Sequence, residues 1–147
     1  MSMPETMPDR LIASLGLQPH PEGGYYVETH RGPANGRDRA SVTTIYYLLR
    51  QGERSHWHRI DATEVWHFQA GAPLGLEIVR DGAVERHCLG ADLLGGEVGH
   101  AVVPPGAWQS ARPLGPWSLV SCTVAPGFTF EGFELAPPGW TPDLPAA

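Results

Sequence analysis

The chain is a succession of short β-type runs, each cut off by glycine, proline or an Asp-Gly pair. "GYYVETH" (24–30), "SVTTIYYLLR" (41–50), "EVWHFQA" (64–70) and "LGLEIVR" (74–80) read as strands. So do "AVERHCL" (83–89), "EVGHAVV" (97–103), "WSLVSCTV" (117–124) and "FTFEGFEL" (128–135). Asp81-Gly82 is a strong type I′ hairpin turn, because both central positions of that turn require positive φ. "PPG" (104–106) and "APG" (125–127) supply further turns. Many short strands at near-even spacing describe a sandwich or a barrel. The one good helix signal is "PDRLIASLGL". Pro8 suits a first turn, Leu11, Ile12 and Leu15 share a face, and Gly16 stops it. The fold class expected is therefore all-β with a short N-terminal helix.

Along 41–50, Thr44, Tyr46 and Leu48 alternate with Ile45, Tyr47 and Leu49. Both faces are apolar or aromatic, so this strand is expected to be central and covered on both sides. One tyrosine of the 46–47 pair should point into the barrel.

A length of 147 residues suits one domain with a real core. Residues 8–136 are expected to form it, with 1–7 a disordered N-terminal segment and 137–147 a Pro-rich tail. The formal net charge is −6, and the ten basic residues are all arginine and scattered. No nucleic-acid footprint is readable. No run is apolar for long enough to span a membrane, and "MSMPETMPDR" lacks the apolar core of a secretory signal. A cytoplasmic location is expected. Cys88 and Cys122 sit inside apolar runs, which suits buried free thiols.

The stretch "RSHWHRIDATEVWHF" (54–68) concentrates the chemistry. Read as an antiparallel hairpin, it sets His58 opposite Glu64 and His56 opposite Trp66. Alternation then places His56, His58, Glu64, Trp66 and Phe68 on one face, with Trp57, Arg59, Val65 and His67 on the other. Three readings follow. Two histidines and a carboxylate suit a divalent metal such as Zn, Fe, Ni or Mn. His58 with Glu64 suits acid/base work or polar ligand binding, the carboxylate raising the imidazole pKa. A buried His–Glu pair also serves plain packing.

From Gly52 the chain runs G-x5-H-x-I-x3-E-x6-G, and "GHAVVPPGAWQS" follows downstream. These segments resemble the two motifs of the cupin superfamily. His58 and Glu64 match metal-ligand positions of the family; Ile60 and Gln109 stand where further histidines usually lie. An isoleucine cannot ligate, and a glutamine amide is a poor ligand for a borderline ion. The resemblance thus carries two ligand positions, and no cofactor is the expected state. If a metal is bound, His56 would replace the missing histidine in a set of His56, His58, Glu64 and Gln109. The blocks "PHPEGGYYVETHR" (19–31), "TIYYLLRQGERSHWHRIDATEVWHFQAGAPL" (44–74) and "LVSCTVAPGFTFEGFELA" (119–136) look like one small single-domain cupin subfamily, mostly without assigned function. The resemblance spans about Leu11 to Ala136. It implies a double-stranded β-helix, or jelly roll, with a pocket in the barrel mouth and usually a homodimer. The fold is also similar to that of metal-independent epimerases of dTDP-linked keto sugars, an analogy of fold alone.

The favoured expectation is a small-molecule-binding cupin, epimerase- or isomerase-like, acting on a sugar or sugar-nucleotide ligand. His58 would be the base and Glu64 its orienter, with Tyr26 or Tyr46 as acid. His56, Trp66, Phe68, Gln109 and Arg59 would line the ligand. The alternatives are a metal-dependent dioxygenase- or hydrolase-like cupin and a non-catalytic ligand-binding dimer. Arg59 is also expected to pair a carboxylate such as Asp61. Glu22 and Glu28 read as solvent or edge-strand charges. His20, His30, His87 and His100 read as polar surface. His67 should lie on the face away from Glu64, and "GYYVETH" is the candidate segment for crossing to a partner.

Overall fold

A computed structural model describes residues 6–34 and 38–147. Two antiparallel sheets face each other. The first has six strands: β1 (Gln18–Pro19), β2 (Tyr25–Arg31), β3 (Thr43–Arg50), β10 (Trp117–Ala125), β5 (Thr63–Gly71) and β8 (His100–Val103), in that spatial order. The second has five: β11 (Phe133–Leu135), β4 (Ser55–Ile60), β9 (Gln109–Pro113), β6 (Leu74–Arg80) and β7 (Ala83–Leu89). This is the jelly roll that the strand pattern and the resemblance led us to expect. The strand expected over 97–103 is shortened to its last four residues. In the run 128–135 only Phe133–Leu135 pairs. Asp81 and Gly82 take φ of 52° and 74°, as the I′ hairpin between β6 and β7 requires.

The core lies between the sheets. Tyr47, Leu49, Trp66, Leu76, Ile78 and Val120 are essentially fully buried there. β3 is central, between β2 and β10, and is covered on both faces. Tyr47 points inward to this core. Tyr46 and Leu48 point outward, where helix α1 (Met7–Leu15) lays Leu11, Ile12 and Leu15 over them. Thr6 caps α1, sharing a reciprocal capping box with Asp9, and Gly16 ends it in the left-handed region at φ 69°. The expected disordered segment 1–7 thus falls on residues 1–5, which lie outside the described residues, and on Thr6 and Met7, which start the helix.

The C-terminal tail lies against the other sheet. Val84 of β7 exchanges backbone hydrogen bonds with Pro145 and Ala147, and Trp140 packs on Trp57 and Trp108. No helix among the described residues is long and apolar enough to cross a membrane. Both cysteines are free thiols, Cys122 buried and Cys88 half-buried.

The structure corrects the expected hairpin. β4 and β5 do not pair: β4 bonds to β9 and β11, whereas β5 bonds to β10 and β8. Asp61 and buried Ala62 carry the chain from one sheet to the other. Alternation holds along β5, so Glu64 and Trp66 still face inward, and His58 faces them from the opposite sheet.

Candidate functional site

A cavity of about 280 Å³ opens at one end of the barrel. Its polar lining comes chiefly from His20, Glu22, Tyr26, His58 and Glu64. Its apolar lining comes from Ile45, Ile60, Val124 and three phenylalanines, Phe128, Phe130 and Phe133. His58 sits at the start of the inward-facing half of β4, Glu64 near the start of β5, and Tyr26 on β2.

Glu22 belongs to no strand. It is carried by the turn between β1 and β2, in "HPEGGY". A Cβ at Gly23 would overlap the carbonyl of Arg54, and one at Gly24 would lie 2.7 Å from the Leu48 carbonyl. Both glycines have positive φ, so this turn approaches its neighbours as only glycine allows. The turn is fastened by His56 N–H donating to the Glu22 carbonyl at 2.8 Å and by the Tyr47 phenol donating to the Gly23 carbonyl. The buried carboxylate of Glu22 thereby reaches His58, with Oε2 2.8 Å from Nδ1. The same nitrogen lies 2.8 Å from the His56 carbonyl and 3.4 Å from Ser55 Oγ. One Nδ1 proton cannot align with all of these, and Glu22 Oε2 has no other donor. The Glu22–His58 contact is therefore an ion pair first and a hydrogen bond second. With Nδ1 engaged, Nε2 is the nitrogen left to face the cavity.

Burial disfavours a charged imidazole, but Glu22, and more weakly Glu64, overcome it and hold the His58 pKa at about 9. Burial likewise raises Glu64; His58 opposes this and Glu22 reinforces it, leaving the carboxyl at about 7. Glu22 would also be raised by burial, yet His58 holds it below the usual range. His20 stands 3.6 Å from Glu22, and burial lowers its pKa despite that carboxylate. At neutral pH the cavity thus holds an imidazolium, an ionised glutamate behind it, a second glutamate that keeps its proton to higher pH than an ordinary carboxyl, and a neutral imidazole. The Cys122 thiol, beside Glu64, is pushed far up by burial and stays protonated.

Behind Glu64, buried Gln109 makes a relay: its amide donates to Glu64 Oε1 at 2.8 Å, and its oxygen accepts the Trp66 indole N–H at 2.8 Å. Trp66, Phe68 and Gln109 consequently pack in or against the barrel core and do not line the cavity. Tyr46 lies beneath α1 on the outer face and is remote from the cavity, a correction to its expected place beside His58. His56 is also displaced. The β4–β9 pairing slips by one residue between Ser55 and His58, a bulge that brings Ser55 to the inner face instead of His56. His56 Nε2 instead contacts the Pro137 carbonyl at 2.9 Å. Arg59 faces outward, ion-paired with Glu134 at 2.8 Å and stacked over Trp108; Asp61 pairs with Arg39 instead. His67 lies on the outer face opposite His100, away from Glu64.

Glu22, His20, Phe128 and Phe130 enter the cavity from turns and a connection, which carry no strand period, and Phe133 from the first position of the short β11. The Gly23-Gly24 pair was the available signal for Glu22, since such glycines mark a close backbone approach. The odd spacing of Phe128, Phe130 and Phe133 was the signal for the third wall.

The residues do not fit the metal centre that cupin folds often carry. Ile60 is apolar, His56 is turned to Pro137, and the oxygen of Gln109 is occupied by Trp66. Only His58 and Glu64 of the expected set reach the cavity. No group of three or more His, Cys, Asp or Glu side chains among the described residues is disposed to hold an ion.

A jelly-roll barrel with His58 and Glu64 facing its mouth defines the class, and comparison with known proteins agrees. The family model described as "Cupin superfamily (DUF985)" matches residues 9–136, and the chain belongs to that family. The uncharacterized protein YML079W of Saccharomyces cerevisiae is 30% identical over 152 residues, covering 89% of this chain and 76% of its relative. The structure of protein SO0799 from Shewanella oneidensis is 40% identical, with a TM-score of 0.83 over 87% of this chain and 83% of that one. Bacillus subtilis oxalate decarboxylase, a protein with Mn(II) centres, superposes with a TM-score of 0.61 at 14% identity. It spans 80% of this chain and 29% of its own, a likeness of fold alone.

Proposed function

We propose that the cavity binds a small molecule and moves a proton on the carbon next to a carbonyl, as an epimerase or isomerase does, without a metal. The observation that carries this reading is one arrangement: Glu64 and His58 line the same cavity, and Glu22 backs His58 from 2.8 Å. Glu64, poised near neutrality, takes the proton as its C–H bond breaks. The electron pair moves to the carbonyl oxygen, which the His58 imidazolium stabilises through Nε2–H. The roles read from sequence alone are thereby redistributed. His58 is the electrophile and not the base, and its orienter is Glu22 and not Glu64. Tyr26, which lines the cavity, is the candidate acid on the opposite face. The aromatic walls leave the intermediate fewer polar neighbours to react with.

The test is deuterium wash-in. Ketones and keto sugars that raise the melting temperature are incubated with the protein in D2O, and the α-carbon is followed by NMR. Exchange with at least one bound carbonyl compound, lost in Glu64→Gln, is expected. Bound carbonyl compounds with no exchange above background would overturn the reading.

A further inference from the structure

The cavity lining also bears on what kind of molecule enters it. A sugar nucleotide brings a pyrophosphate, which proteins hold with arginine forks, backbone N–H groups or a metal. Arg31 is the one guanidinium among the described lining residues, and its charge is matched by a carboxylate at the mouth. Its Nε and Nη2 lie 2.8 and 2.9 Å from the two carboxylate oxygens of Glu28, which lines the same mouth. Deeper in, the charge of His58 is matched by Glu22 at contact distance. Ionisation of Glu64 makes the balance negative. The lining therefore offers a dianion no net attraction and, once Glu64 ionises, repels it.

The phenyl wall points the same way. Phe128 and Phe130 meet edge to face, with centroids 5.0 Å apart at 87°, and Phe133 stands 5.7 Å from Phe128. Phe133 also lies tilted over the His58 ring at 5.6 Å. A guest ring or branched chain beside these rings keeps edge-to-face contact with them while its polar atom reaches Nε2. A polyol placed there would bury hydroxyls against rings and the side chains of Ile45, Ile60 and Val124, each unpaired hydroxyl weakening binding. A volume of about 280 Å³ is also at the small end for ligand sites.

We infer that the ligand is a small uncharged carbonyl compound with an aromatic or branched apolar body, held by the Phe128–Phe130–Phe133 wall, and not a sugar nucleotide. The carbonyl rests on the proton-transfer reading above; the apolar body and the lack of charge rest on the lining alone.

Titration calorimetry with two named probes tests this: benzylacetone, a neutral aromatic ketone, and a nucleotide-linked keto-hexose. Benzylacetone is expected to bind and the nucleotide to give no heat at the same concentration. Phe130 is 58% exposed, so Phe130→Ala should fold normally. It should weaken benzylacetone roughly tenfold, the loss of one good ring contact. Tighter binding of the nucleotide, no binding of benzylacetone, or unchanged affinity in Phe130→Ala would overturn the inference. Deuterium exchange on the same samples separates the two claims. Benzylacetone that binds without exchanging keeps the ligand class and removes the proton transfer. Exchange confined to the nucleotide ketone keeps the proton transfer and removes the ligand class.

Discussion

Glu22 Oε2 lies 2.8 Å from His58 Nδ1, both side chains almost wholly buried, with no other donor to that oxygen. A glutamate from a turn thus sets the charge of a histidine on a strand of the opposite sheet. Removing one partner of such a pair leaves the other buried and uncompensated, which costs more than the pair gains.

Glu22→Gln should therefore destabilise the protein by about 3 kcal/mol, read from urea unfolding. It should also bring the His58 midpoint in an NMR titration well below about 9. A purely packing role for Glu22 would move the stability and leave that midpoint in place.

The pH dependence of stability has a definite sign. His58 titrates at about 9 in the folded chain against an ordinary 6.5, so its contribution is complete below pH 6.5 and lost as pH rises through 9. Glu64, at about 7 against 4.5, has the same sign: its contribution is complete below pH 4.5 and lost as pH rises through 7. Glu22, held low, acts oppositely, stabilising above 4.5 and failing as pH falls. Each raised group adds a downward slope of up to about 1.4 kcal/mol per pH unit within its window. Urea midpoints measured across pH should show His58→Gln flattening the upper window and Glu64→Gln the lower one. Parallel curves for all three proteins would contradict these shifts.

Gln109→Leu keeps the volume and deletes the relay. The Trp66 indole N–H and Glu64 Oε1 would both lose their partner. A loss of about 3 kcal/mol is expected in chemical denaturation. The carboxyl of Glu64 should titrate higher still, because the amide hydrogen bond holds it down.

Metal content tests the donor argument. Purified without tag, chelator or metal column, the protein should hold far less than one equivalent of Zn, Fe, Ni or Mn by inductively coupled plasma mass spectrometry. Ile60→His combined with Gln109→His supplies the two missing imidazoles beside His58 and Glu64, and should raise the content toward one equivalent. A stoichiometric ion in the unaltered protein would mean that other residues complete the site.

The inward face of the barrel was legible wherever a strand ran regularly. The period of two turned Glu64 and Trp66 to the inside and His67 to the outside, but it left open which of Tyr46 and Tyr47 points in, and the choice of Tyr46 for the cavity was wrong. Periodicity reports which face a residue takes, not which strand lies beside it. A polar turn looks the same in a hairpin as in a crossing between sheets, and so the β4–β5 pairing was misread while His58 and Glu64 still converged. His56 failed for a different reason: one extra residue in β4 reverses everything before it, and nothing in "RSHWH" marks the slip. Glu22, Phe128 and Phe130 escaped because turns place side chains by local geometry without a repeat.

That extra residue also decides what β4 can hold on each side. Between Ser55 and His58 a regular strand has room for one outward residue, and β4 carries two, His56 and Trp57. Loss of either would leave Ser55 and His58 turned inward and would strip the outer face of its contact with Pro137 or of its packing against Trp140. The bulge thus lets one short strand serve the cavity with its two ends while the pair between them clasps the C-terminal tail.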